Sequence, residues 1–132
     1  MSEDVRVISS YRDPGYQIEL RSDGILCYRA TPGMTLTLEI AKRLLEDGLT
    51  LTEEARPCLV LMQDVARVER RARDFFSSDQ YLTLASQTAL VVGSPISRVI
   101  GNFFVGLNRP KYPLRIFDDP RKAIEWLRGF LR

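Results

Sequence analysis

The sequence predicts a single-domain α/β fold with a mixed sheet, an N-terminal β-hairpin followed by alternating helices and strands in the order ββαβαβαβα. Three observations carry this. Ser22-Asp23-Gly24 separates two β-prone runs, short apolar runs recur as "PCLVLM" and "TALVV", and between and after them apolar residues return at helical spacing. A hairpin followed by helix and strand in alternation implies later strands that run parallel, joined by right-handed crossovers.

Residues 1–15 contain Ser9, Ser10, Pro14 and Gly15 and little periodicity, which predicts a loose lead-in framing the sheet edge; the domain proper is expected over 16–132. In "IELRSDGILCYRA" the Asp-Gly pair tolerates the positive φ angles of tight hairpin turns, giving two antiparallel strands. Pro32-Gly33 breaks the chain. Thr37 then caps a helix with Glu39 in its first turn, where the dipole favours negative charge. Leu38, Ala41, Leu45 and Gly48 share one face of that helix, widened by Ile40 and Leu44. "PCLVLM", opened by Pro57, reads as a buried strand.

A helix is expected from Glu69 to about Leu84, with Ala72, Phe75, Phe76 and Leu82 facing inward, and "TALVV" is the next buried strand. Gly93-Ser94-Pro95 follows, with Ser94 placed to cap and Pro95 suited to a first helical position. Ile96, Val99, Ile100, Phe103, Phe104 and Leu107 then recur at helical spacing. "YPLRIF" is a last strand, and "DDPRKAIEWLRGFLR" a last helix capped by Asp119 before Pro120, with Trp126 and Phe130 read as core.

A chain of 132 residues buries roughly two thirds of its unfolded surface, enough for a core without staples. Apolar residues at 45% and charged residues at 27% match a globular protein. No apolar run is long enough to span a bilayer, and the N-terminus has no signal-peptide pattern, so a cytoplasmic protein without a transmembrane segment is expected. Cys27 and Cys58 lie in apolar segments at no metal-binding spacing and read as two buried reduced thiols. The chain has no histidine, which removes the usual general base near neutral pH, the Ser-His and Cys-His couples and most catalytic zinc sites. No catalytic residue, cofactor or metal is expected.

Charge is unevenly placed. Residues 1–60 carry 7 basic and 10 acidic side chains, a balance of −3; residues 61–132 carry 12 and 7, a balance of +5. The second half is where an anionic partner would bind. There, "LVLMQDVARVERRARDFF" runs an apolar strand into Asp64 and then into Arg67, Arg70 and Arg71. On one helix these arginines occupy i, i+3 and i+4, an anion clamp at a helix N-terminus. The alternative is a solvated helix face in which Glu69 and Asp74 pair with neighbouring arginines. Ser94 is a second candidate anion contact. The basic residues are mixed with acids and the aromatics sit in core-like positions, which argues against nucleic acid.

The layout, with a hairpin first and a strand-Asp-loop-helix junction at its centre, resembles the STAS family, the SpoIIAA-like fold of bacterial anti-sigma-factor antagonists. "ARDFFSS", "VVGSPISRVIGNFF" and "NRPKYPLRIFDD" resemble the second half of small bacterial STAS-like proteins, and the likeness covers about residues 16–131. It implies that Asp64 is the strand-end Asp and Val68 the later hydrophobic position. Where that family places a phosphorylatable Ser, "ERRARD" carries no hydroxyl, and Ser77 and Ser78 come later.

These readings converge on a non-catalytic regulatory or protein-interaction module, binding a protein partner or small anion near Asp64 to Arg73. The competing class is a carrier of a lipid or other apolar small molecule, motivated by the apolar helix over 96–107. An open sheet also leaves an edge for a homodimer to cover, unless a bulge or the N-terminal segment covers it.

Overall fold

A computed structural model gives the structure of residues 6–13, 15–76, 78–93 and 113–130. In chain order the elements are β1 (Val7–Asp13), β2 (Tyr16–Arg21), β3 (Leu26–Ala30), β4 (Thr35–Leu36), α1 (Leu38–Leu51), β5 (Arg56–Leu61), β6 (Arg67–Val68), α2 (Arg70–Phe76), a 3₁₀ turn (Tyr81–Thr83), β7 (Ala85–Val91), β8 (Leu114–Phe117) and α3 (Pro120–Arg128). Among the described residues one six-stranded sheet runs β1-β2-β3-β5-β7-β8, and β4 pairs with β6 in a separate ribbon. β1, β2 and β3 are antiparallel, and β3, β5, β7 and β8 parallel, the mixed sheet expected.

The hairpin sits where Ser22-Asp23-Gly24 placed it, and only Gly24 within it takes a positive φ, at 89°. Asp23 contributes through its carboxylate rather than through its backbone angle. Its Oδ1 accepts from Ile25 N–H at 3.2 Å and from Arg21 Nε at 3.1 Å, while Oδ2 accepts from Arg21 Nη2 at 2.7 Å and from Arg128 Nη2 of α3 at 3.2 Å. One turn aspartate thus joins the hairpin to the last helix.

Alternation along the strands sorts side chains to two faces. Tyr16, Ile18 and Leu20 of β2, Leu26 and Tyr28 of β3 and Cys58 of β5 pack with Leu44 of α1. Cys27, Leu59, Leu61, Ala89 and Val91 point the other way and pack with Ala123 and Leu127 of α3. Both caps form as read: Thr37 Oγ1 accepts from Ile40 N–H at 3.2 Å, and Asp119 Oδ1 from Arg121 N–H at 2.9 Å. Both thiols are free and buried. Burial pushes Cys27 up to about 11 and Cys58 further still.

Three expectations change, and a fourth has no counterpart among the described residues. The lead-in contains a strand, since Val7–Asp13 pairs with β2 and forms the sheet edge. The helix expected over 69–84 ends at Phe76, because Ser78 donates from both its N–H, at 3.0 Å, and its hydroxyl, at 2.5 Å, to the Phe75 carbonyl, and the chain restarts as the 3₁₀ turn. Ala72 and Phe75 do face inward, while the Leu82 side chain lies outside the described residues. Phe130 is exposed because it follows the end of α3, its ring standing edge-on to Trp126 at 5.0 Å. The helix expected over 96–107 lies outside the described residues.

Candidate functional site

The junction after β5 lies at the carboxyl end of the parallel strands, where open α/β sheets bind their ligands. Two connections meet there. The one leaving β3 turns at Pro32-Gly33, with Gly33 at φ 80°, and the one leaving β5 turns at Gln63-Asp64. Gly33 N–H donates to the Asp64 carbonyl at 2.7 Å, Ala66 N–H to Met34 at 2.9 Å and Glu69 N–H to Leu36 at 2.9 Å, closing the β4–β6 ribbon. These main-chain bonds hold the loop that carries the charged side chains.

Asp64, Arg67, Arg70 and Arg71 are all exposed on this junction, and none of the four forms an ion pair among the described residues. The helix-face geometry expected of the arginines does not hold. Arg67 belongs to β6, opposite Thr35, so only Arg70 and Arg71 open α2, a helix of seven residues. The i, i+3, i+4 relation holds only on a helix, and at Arg67 the chain is pinned as ribbon. Glu69, expected to pair with an arginine, instead turns back to α1, its Oε1 accepting from Leu38 N–H at 3.4 Å. With Thr37 it satisfies the first turn of α1. The structure therefore brings Asp64, Arg67, Arg70 and Arg71 together as a charged rim rather than as a clamp. Ser94 lies outside the described residues.

Directly beneath the ribbon is an apolar cavity of about 60 Å³, whose wall includes Tyr16, Tyr28, Met34, Val60, Val68 and Thr88. Tyr16 Oη donates to Asp47 Oδ2 at 2.5 Å and Tyr28 Oη to the Leu44 carbonyl at 3.4 Å. Burial pushes the Tyr28 phenol well above its ordinary range, so it stays a neutral donor. This cavity has no periodic signature in the sequence. The single available sign was a threonine at an inward position of the "TALVV" strand. Among the described residues no cluster of Cys, Asp and Glu could hold a metal, and no helix is long and apolar enough to cross a membrane.

The sheet order and this junction define an α/β domain of SpoIIAA-like fold. The protein is similar to an uncharacterized protein from the DUF3478 family with a SpoIIAA-like fold from Shewanella loihica PV-4, at a TM-score of 0.55 and 16% identity over 96% of this chain and 98% of that one. The chain belongs to the family described as Domain of unknown function (DUF7793), whose model matches residues 18–131. It is also similar to a protein with unknown function from Arthrobacter sp. FB24, at 36% identity and a TM-score of 0.32 over 83% of this chain and 90% of that one. No curated protein matches the chain.

Proposed function

We propose that the protein is a non-catalytic, cytoplasmic regulatory module that docks an acidic surface of a partner protein onto the rim formed by Asp64, Arg67, Arg70 and Arg71. The observation that carries this reading is the placement of three exposed arginines, one on β6 and two at the start of α2, on a junction fixed by main-chain bonds, with the nearby Glu69 carboxylate turned away to α1. The backbone that carries the rim is already fixed, so binding orders only the side chains, and arginine meets carboxylates through two parallel hydrogen bonds. The fold supports the reading as that of a scaffold known for regulation, and "ERRARD" removes the hydroxyl through which a phosphorylation switch would act at this turn.

The combined variant Arg67→Glu/Arg70→Glu/Arg71→Glu is expected to keep its melting temperature within about 2 °C, since the side chains are exposed. It is expected to lose at least about tenfold in affinity for a partner captured by the wild type from the native host, because like charges then face each other. Wild-type binding should also weaken as salt is raised. Equal affinity of wild type and variant for that partner would remove the rim from consideration.

A further inference from the structure

Thr88, a residue of the wall of the cavity beneath the ribbon, carries a polar group that the fold leaves unused. Thr88 lies on β7, its N–H donating to the Pro113 carbonyl at 2.9 Å. Its side chain is 2% exposed, and its hydroxyl has no hydrogen-bond partner among the described residues. A buried hydroxyl without a partner costs stability, and valine has nearly the same shape at no such cost. The other polar groups on the wall are committed: Tyr16 to Asp47, Tyr28 to Leu44, and Tyr81 to Tyr28 and Cys58. The rest of the wall is apolar, including Met34, Val60 and Val68.

Water is a poor occupant of such a space, since a buried water needs two to four polar partners and this wall offers one. A molecule that is apolar except at one atom matches it. We infer that the cavity at the carboxyl end of β5 and β7 is a binding site for a small apolar molecule bearing a single hydroxyl or carbonyl oxygen, which pairs with the Thr88 hydroxyl. The hydroxyl shows almost no surface to the cavity as it stands; the Thr88 Cβ carries a methyl beside it, so one rotamer step turns the hydroxyl toward the ligand. At about 60 Å³ the space suits a short chain or the end of a longer one. None of the four rim residues lines it, and its occupancy does not depend on partner docking there.

The test uses the full-length protein and 1-butanol, followed by the backbone amide signals in ¹H–¹⁵N NMR. Saturable shifts at Val60, Thr88 and Leu90 are expected, with Thr88→Val binding about fivefold more weakly, the loss of one hydrogen bond. Thr88→Val should fold at least as well as the wild type. Thr88→Ser keeps the hydroxyl and is expected to bind within about twofold of the wild type, a small change because one methyl of packing is removed. Non-saturating shifts scattered over the surface would overturn the site. Equal affinity in Thr88→Val, or equal loss in Thr88→Val and Thr88→Ser, would overturn the role of the hydroxyl.

Discussion

Gly48→Val is expected to destabilise the domain by about 3 kcal/mol, lowering its melting temperature by about 10 °C. A glycine inside a helix ordinarily costs stability relative to alanine by about 1 kcal/mol, so a substitution here would be expected to help. The packing reverses the sign. A Cβ on Gly48 would lie 2.7 Å from Leu84 Cδ2 and 2.7 Å from Tyr28 Oη, closer than carbon can approach either. Leu84 is fully buried and Tyr28 nearly so. Tyr28 can yield only by giving up its bond to the Leu44 carbonyl within the same core. Alanine should show the same sign at smaller size, its better helix propensity offsetting part of the clash. Urea unfolding checks this through a lower midpoint at unchanged slope. A midpoint equal to or above the wild type would mean that Leu84 and Tyr28 yield without cost.

Asp23→Ala is expected to cost about 2 to 3 kcal/mol, because the carboxylate joins Arg21, the Ile25 N–H and Arg128 and is only slightly exposed. Arg21 and Arg128 would then be left half-buried without their carboxylate. The same contacts give a pH signature. Burial alone would raise the Asp23 pKa, but the hydrogen bonds from Arg21, Ile25 and Arg128, with the Arg21 charge, hold it below its ordinary 3.8. A carboxyl lowered in the folded state contributes stability that is present above its unfolded value and is lost as pH falls through the folded one. Asp23→Asn should therefore flatten the loss of stability below about pH 4 relative to the wild type. An unchanged acid slope would show that other carboxylates set it.

The sequence made visible what local chemistry decides. Ser22-Asp23-Gly24, Thr37 and Asp119-Pro120 each act within a few residues of themselves, and each turn or cap forms where it was read. Features that depend on a distant partner were hidden. β1 carries no alternation of its own and becomes a strand by pairing with β2, and β4 and β6 have two residues each, too few for any period. Arg67 was grouped with Arg70 and Arg71 by spacing that holds only on a helix, and a ribbon two residues long undid it. Glu69 reads as a local ion-pair partner until folding brings Leu38 beside it, 31 positions away. The cavity is space rather than residues, and only the misplaced hydroxyl of Thr88 marked it.

The strand order also sets an order in time. β1, β2 and β3 are consecutive in the chain and meet through short turns, so their pairing closes small loops in microseconds. The parallel pairs β3–β5, β5–β7 and β7–β8 each wait for a long connection to fold back before any ladder bond rewards the closure. The antiparallel edge is therefore expected to form the early nucleus and β8 to arrive late. A weakened β8 would speed unfolding and leave the folding rate nearly untouched, while a weakened β2 would slow folding itself. Stopped-flow φ-values at Ile116 near 0 and at Ile18 above about 0.5 would express that sequence of events, and the reverse ranking would refute it.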